Sequence, residues 1–174
     1  ENGTGKTTLL NILTGYDNDY SGDYDSVHVN EIGYVSQDLF FLEDQSVYNN
    51  LDIYDIDEKK IDVALDNFGL SYLKNKKIRN LSGGERQQIS IIRELLKENK
   101  ITIFDETFSS IDEESKRMIM KHVKSLSKNK LFIIVSHDKF ALSFADVVLT
   151  INNKKIITDV INENSQEQIS NKPH

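Results

Sequence analysis

Hydrophobic positions along this chain follow a helical spacing in some segments and form short continuous runs in others. Residues 9–13 place leucine and isoleucine on one helix face, and that segment ends near Gly15. Three later segments repeat this spacing, with Ile61, Ala64, Leu65 and Phe68 in the first, Ile89, Ile92, Leu95 and Leu96 in the second, and Ile119, Val123 and Leu126 in the third. Such spacing predicts four helices that each bury one face.

Short apolar runs between the helical segments predict buried strands. They cover residues 32–35, 101–104 and 131–135, and residues 27–30 alternate like a further short strand. Strands that alternate with helices predict an α/β fold, with a mainly parallel sheet covered by helices on both faces. Near the end of the chain, apolar segments flank Asn152 and Asn153, a pattern typical of a hairpin.

Polar residues at the predicted helix starts indicate where each helix begins. Asp55 or Asp57 can cap the helix that ends at Gly69. Ser82-x-x-Glu85 and Ser110-x-x-Glu113 both fit the capping-box pattern. His28, His122 and His174 do not stand at the end of a predicted strand, and we expect them at the surface.

Composition narrows the class of protein. The chain has 174 residues, enough to bury the core of one domain, and none of its apolar runs is long enough to cross a bilayer. The absence of cysteine excludes disulfides and thiolate metal sites. A net charge of −7 argues against a dedicated nucleic-acid binder.

The first candidate chemistry stands at the start of the chain. Residues 1–8 fit the phosphate-loop pattern G-x-x-x-x-G-K-[ST], with the opening glycine one position before Glu1. Gly3 and Gly5 let backbone N–H groups turn inward, Lys6 brings a cation to the phosphates, and Thr7 offers a hydroxyl to Mg²⁺. Because a strand normally precedes this loop, we expect the natural polypeptide to continue upstream of Glu1.

Further polar side chains stand where predicted strands end. Gln37, Asp105 and His137 each come at or just after such an end, and Glu106 follows Asp105. Ligands of open α/β sheets bind at this edge, so Asp105 suits a partner of Mg²⁺ and Glu106 suits the polarisation of an attacking water. Taken singly, an acidic pair after a strand also fits an ordinary turn, and a lone histidine there is usually structural.

The segment Ser82-Gly83-Gly84-Glu85 has two interpretations. A capping box accounts for the serine and the glutamate. The two glycines cost helix stability relative to alanine, and they suit a helix start whose bare N–H groups closely approach an anion. One helix start would then act as a cap within the chain and bind phosphate when a partner arrives.

Taken in order, these motifs resemble the ATP-binding cassette (ABC) family. Residues 3–8 resemble its Walker A motif, Gln37 its Q-loop, residues 81–85 its signature, residues 103–106 its Walker B motif, residues 109–112 its D-loop, and His137 its H-loop. The resemblance covers the chain from Glu1 to about Thr158. It implies a P-loop NTPase with a catalytic core at residues 1–54 and 101–161, an inserted helical subdomain at about 55–100, and a polar tail at 162–174.

The resemblance also implies roles for individual residues. It assigns ATP binding to Asn2, Gly3, Thr4, Gly5, Lys6, Thr7, Thr8, Ser82, Gly83, Gly84 and Asp112. It assigns Mg²⁺ to Thr7, Gln37 and Asp105, and catalysis to Glu106 as general base with His137, Lys6 and Gln37. In this family Ser82 and Gly84 would bind the ATP held by the opposite subunit.

The function implied is the ATPase domain of a membrane transporter, driven by head-to-tail dimerisation of two cassettes on ATP and Mg²⁺. Its partners would be a second ABC ATPase domain and a transmembrane domain or subunit, and we expect no nucleic-acid partner. The domain would lie at the cytoplasmic face of the cell membrane. Two alternatives are a soluble ABC ATPase of the translation-factor type and a non-hydrolysing regulatory cassette. Glu106, His137 and the intact signature argue against the second.

The chain departs from the family pattern in several places, and two of them lie near the predicted site. Thr107 stands where a proline usually follows the catalytic glutamate, and we expect this exchange to be tolerated. The interval between Lys6 and Gln37 is short for the family, which implies a trimmed β-subdomain.

Overall fold

Three parallel strands form the central sheet: β1 (Ile32–Val35), β2 (Ile101–Asp105) and β3 (Leu131–Val135), in the order β1-β2-β3. The computed structural model describes residues 5–22, 31–36, 38–152 and 155–160. The register aligns Val35 with Phe104 and Asp105 with Val135, so the carboxyl ends of the strands meet at one edge. The predicted parallel sheet is confirmed, whereas the predicted strand at residues 27–30 lies outside the described residues.

Six helices accompany the sheet in the described part of the chain. They are α1 (Lys6–Leu13), α2 (Val47–Leu51), α3 (Glu58–Asn67), α4 (Gly83–Leu95), α5 (Glu113–Leu126) and α6 (Lys139–Leu142). Single 3₁₀ turns lie at Asp52–Tyr54, Ser71–Leu73 and Ile78–Asn80. Across the described residues, none of the helices has the length and apolarity needed to span a membrane.

One hydrophobic core joins the helices to the sheet. Its members include Ile61 and Leu65 of α3, Ile89 and Ile92 of α4, Phe104 of β2, and Ile119 and Val123 of α5. The ring of Phe104 meets the ring of Phe108 edge-on with centroids 5.5 Å apart, and it stacks on Phe132 at 6.0 Å. Each such buried side chain contributes about 1.5–3 kcal/mol of transfer free energy, so the end of β2 is firmly anchored.

The helix starts agree with the sequence in two of three cases. Asp57 caps α3 by accepting a hydrogen bond from the Lys59 N–H, and Ser82 caps α4 in a complete capping box. The predicted cap of α5 at Ser110 is wrong, because Asp112 accepts from the Ser115 N–H and the helix begins at Glu113. Buried Phe108 and Ile111 pin the segment just before Asp112, which delays the helix.

Three other expectations need correction. Leu131 is 55% exposed and the rest of β3 is half-buried, because β3 lies at the edge of the described sheet. His122 is half-buried rather than on the surface, with its ring 5.2 Å from that of Phe68, and burial lowers its pKa. The predicted hairpin consists of β4 (Val147–Asn152) and β5 (Lys155–Val160), in which Asn152 pairs with Lys155 instead of turning; residues 153 and 154 lie outside the described residues.

Candidate active site

Lys6, Glu106 and His137 come together at the carboxyl edge of the sheet. The Lys6 Nζ lies 3.0 Å from the His137 Nε2 and 3.9 Å from the Glu106 Oε1. The His137 Nε2 lies 3.6 Å from the same carboxylate oxygen. The Lys6 and Glu106 side chains remain about a third exposed, at 30% and 34%. An ammonium group, an imidazole and a carboxylate therefore face one space that is open to solvent.

The start of α1 adds a backbone anion site to this cluster. Gly5 precedes the helix with φ of 94°, a left-handed conformation that favours glycine, and its carbonyl accepts from the Leu9 N–H at 3.0 Å. The first N–H groups of a helix have no partner within it and carry its positive dipole end. Thr7 and Thr8 are exposed in this first turn. The other predicted loop residues, Asn2, Gly3 and Thr4, lie outside the described residues.

The backbone at Glu106 is strained. Its φ is 52°, and among the described non-glycine residues only Asp55 also has a positive φ. The Glu106 N–H donates to the Val135 carbonyl at 2.9 Å, which ties the end of β2 to the end of β3. A left-handed L-residue costs about 1–2 kcal/mol, and such strain clusters at functional sites. The turn holds the Glu106 carboxylate next to Lys6 and His137.

Sequence reasoning missed Tyr34, which contacts the predicted metal-binding carboxylate. The Tyr34 hydroxyl donates to the Asp105 Oδ2 at 2.7 Å. Burial and this hydrogen bond raise the pKa of Tyr34 above its usual range. The two side chains share one face of the sheet, because Tyr34 pairs with Ile103, two residues before Asp105. Tyr34 therefore fixes the orientation of the Asp105 carboxylate.

The residues at this edge fit a magnesium ion that arrives with a phosphate ligand. Thr7 and Asp105 supply a hydroxyl and a carboxylate, and Gln37 lies outside the described residues. Within the described ranges, no group of three or more His, Cys, Asp or Glu residues could hold a metal alone. Mg²⁺ is commonly bound by one or two protein ligands together with phosphate oxygens and waters, so this sparse donor set suits it.

The glycine-rich start of α4 lies in a separate place. A cavity of about 510 Å³ is lined there by Ser82, Gly84, Ser110 and Asp112, among others. Lys6, Glu106 and His137 are not among its described lining residues. The capping-box interpretation of Ser82 and Glu85 is confirmed. Phosphate binding by this segment stays a prediction.

The two glycines of α4 have different surroundings. A Cβ on Gly84 would lie 2.9 Å from the Ser110 carbonyl oxygen, so close approach of residues 109–112 already requires glycine there. A Cβ on Gly83 would meet nothing within 4 Å among the described residues. Packing within the chain therefore explains why residue 84 is a glycine. It does not explain Gly83, for which the predicted approach of an anion is the remaining explanation.

An ion pair links Asp138, the residue after His137, to α5. The Lys116 ammonium donates to the Asp138 Oδ2 at 2.6 Å, and the pair is largely buried, with side-chain exposures of 15% and 25%. Asp138 also caps α6 by accepting from the Phe140 N–H. The Lys116 hydrogen bond holds the pKa of Asp138 below its usual value. The pair connects the residue after His137 to the helix that follows residues 109–112.

Thr107, at the position where the family carries proline, is buried. Its hydroxyl oxygen has no hydrogen-bond partner among the described residues. The exchange therefore leaves one buried oxygen without a hydrogen-bond partner in the described part of the chain.

Comparison with known proteins adds an independent observation. A profile of the family described as ABC transporter matches residues 1–109. The ATP-dependent lipid A-core flippase of Francisella tularensis is 31% identical in a match that covers 90% of this chain and 30% of the flippase. The spermidine/putrescine import ATP-binding protein PotA of Spiroplasma citri is 28% identical, over 88% of this chain and 50% of PotA. The chain thus spans 30 to 50% of the length of the curated relatives that it matches.

Solved structures agree on the fold. An ATP-binding cassette in a dimeric post-hydrolysis state, bound to ADP and Pi, has a TM-score of 0.77 against this chain. It is 22% identical, and the match covers 93% of this chain and 83% of that structure. The predicted P-loop α/β fold class is confirmed, while the division into a core, a helical subdomain and a tail stays a prediction.

Proposed function

This chain belongs to the ABC transporter family, and from that premise we propose that it is the ATP-hydrolysing domain of a membrane transporter. The observation that carries the proposal is the contact of Lys6, Glu106 and His137 at the carboxyl edge of the sheet. These three residues belong to three motifs that are far apart in the sequence. The relatives named above are transporter proteins, which favours this function over the translation-factor alternative.

The cluster has the groups that phosphate-anhydride hydrolysis requires. The Lys6 ammonium and the first N–H groups of α1 would bind the terminal phosphates of ATP. The Glu106 carboxylate would accept a proton from the attacking water, and His137 would contact the γ-phosphate. Thr7 and Asp105 would hold Mg²⁺, which neutralises phosphate charge when bound, and Tyr34 would orient Asp105.

The active assembly that we propose is a head-to-tail dimer. Lys6, Glu106 and His137 are not among the described residues of the cavity at the start of α4, which Ser82 and Gly84 line on either side of Gly83 in the sequence. In the dimer residues 82–84 would meet the ATP of the partner cassette, with Asp112 beside them. Opening and closing of this dimer would move a transmembrane domain or subunit at the cytoplasmic face of the membrane.

Glu106→Gln in the complete protein tests the proposed chemistry. We expect phosphate release to fall by about 100-fold or more, because the amide cannot accept the proton of the attacking water. The affinity for ATP, measured by calorimetry with Mg²⁺, should change by less than about threefold, since Lys6 and the start of α1 are unchanged. Glu113→Gln is the control, because Glu113 is exposed on α5. Turnover by Glu106→Gln close to that of the control would remove Glu106 from the role of base.

A further inference from the structure

Glu85 accepts three hydrogen bonds at the start of α4. Its Oε2 accepts from the Ser82 N–H at 2.8 Å and from the Ser82 hydroxyl at 2.9 Å. Its Oε1 accepts from the Tyr72 hydroxyl at 3.1 Å. These donors, the Ser82 N–H first, lower the pKa of Glu85, so the carboxylate is ionised at neutral pH.

The single proton of the Ser82 hydroxyl is donated to this carboxylate. A serine hydroxyl has one proton to donate and two lone pairs that accept. The Ser82 Oγ accepts from the Glu85 N–H at 3.2 Å and donates its proton to the Glu85 Oε2. Ser82 therefore cannot donate to a phosphate while this second bond is present.

The cavity in front of Ser82 is acidic. Glu85, Asp112 and Glu114 line it, and no lysine or arginine is among its described lining residues. An incoming phosphate would meet three carboxylates, and like charges at short range repel one another. Of the three, Glu85 is the one that is hydrogen-bonded to Ser82.

We infer that Glu85 restrains ATP-driven dimerisation by holding the Ser82 hydroxyl away from the phosphates of the partner's ATP. The inference rests on the proposed function, in which residues 82–84 bind that ATP. Closing the dimer exchanges the hydrogen bond from Ser82 to a charged carboxylate for one to a charged phosphate. Because hydrogen bonds to charged acceptors are about twice as strong as neutral ones, this exchange gains less than release from a neutral acceptor would.

Glu85→Gln separates this restraint from the helix cap. Glutamine serves as well as glutamate in the capping box, so its side-chain oxygen still accepts from the Ser82 N–H and α4 keeps its start. The substitution removes the charge and leaves a weaker acceptor for the Ser82 hydroxyl. Glu114→Gln is the matched control, because it removes one charge from the same cavity but from an exposed side chain on α5.

The experiment uses the complete protein with Glu106→Gln, so that ATP is not consumed, and light scattering to follow dimer formation. We expect Glu85→Gln to lower the ATP concentration for half-maximal dimerisation about threefold to tenfold, and Glu114→Gln to lower it less than about twofold. In a protein that also carries Ser82→Ala, Glu85→Gln should lower this ATP concentration no more than Glu114→Gln does.

Three results would overturn the inference. An unchanged or higher ATP requirement in Glu85→Gln would show that the carboxylate does not restrain closure. If Glu85→Gln and Glu114→Gln lowered the ATP concentration for half-maximal dimerisation equally, the effect would come from net charge alone. The hydrogen bond of the Ser82 hydroxyl would then have no role in it. A Glu106→Gln protein that binds ATP and stays monomeric would contradict the proposed dimer itself, and the inference would fall with it.

Discussion

At Glu106 the fold accepts backbone strain to place a carboxylate. The residue keeps a φ of 52° while its N–H is bound to the Val135 carbonyl and its side chain faces Lys6 and His137. A glutamate has no conformational advantage in this position, whereas glycine adopts it freely. Stability alone would therefore favour glycine here, and the strained glutamate supports the proposed role of its carboxylate.

Glu106→Gly and Glu106→Ala should differ in stability in the direction opposite to the usual one. Glycine normally destabilises a folded protein relative to alanine by about 0.5–1 kcal/mol. Here we expect glycine to be the more stable variant by about 1 kcal/mol, because it relieves the left-handed strain. Urea unfolding of both variants gives the comparison, and neither should hydrolyse ATP. An alanine variant as stable as the glycine variant would show that the turn carries no strain.

Single residues could be predicted where a motif and a strand end coincide. Glu106 and His137 were predicted in this way and Lys6 from the phosphate-loop pattern, and the structure places the three within 4 Å of one another. Tyr34 could not be predicted, because its contact with Asp105 depends on the register between β1 and β2. A shift of one residue in this register would turn Tyr34 to the other face of the sheet, and the residues of β1 alone do not show which residue of β2 each of them faces.

At the scale of elements, apolar spacing predicted the three strands of the sheet and the four helices α1, α3, α4 and α5. The capping patterns predicted the helix starts less well. The cap at Ser82 was predicted because its capping box has no competitor nearby. The cap at Ser110 failed because Asp112 offers a second acceptor two residues later, and packing of Phe108 and Ile111 decides between them. Two equal local signals are thus resolved by tertiary contacts.

The link between α5 and α6 predicts a pH-dependent loss of stability. The depressed pKa of Asp138 contributes stability that is present above its unfolded pKa, about 3.9, and is lost as the pH falls through its folded value. Lys116→Met should therefore lower the free energy of unfolding by about 1 kcal/mol at pH 7, and the difference from wild type should shrink as the pH falls below the unfolded pKa and through the lower folded pKa of Asp138.

Urea unfolding between pH 3 and pH 7 measures this difference directly. Lys121→Met is the control, because Lys121 is exposed on the same helix and its removal should give no such pH dependence. A difference between wild type and Lys116→Met that stays constant over this range would show that the ion pair with Asp138 does not stabilise the fold.

For the whole molecule, the central feature is the separation of two sets of site residues. Lys6, Glu106 and His137 form one cluster, and the cavity at residues 82–84 contains none of them. The order of motifs predicted both sets, but the sequence alone could not show that they lie apart. The proposed head-to-tail dimer would resolve the separation, since each cluster would then face the α4 start of the other chain.

Mixing two inactive variants of the complete protein tests this arrangement most directly. Lys6→Ala removes the phosphate-binding ammonium, and Gly83→Asp places a carboxylate at the start of α4, where a Cβ has open space. Each variant alone should fail to hydrolyse ATP. In mixed dimers one composite site combines the intact Lys6 cluster of one chain with the intact α4 start of the other.

The measurement is steady-state phosphate release from an equimolar mixture after subunit exchange. We predict about a quarter of the wild-type rate, because half of the dimers are mixed and each has one competent site of two. A mixture no more active than the average of the two variants alone would contradict the account, since Lys6 and residues 82–84 would then have to act within one chain.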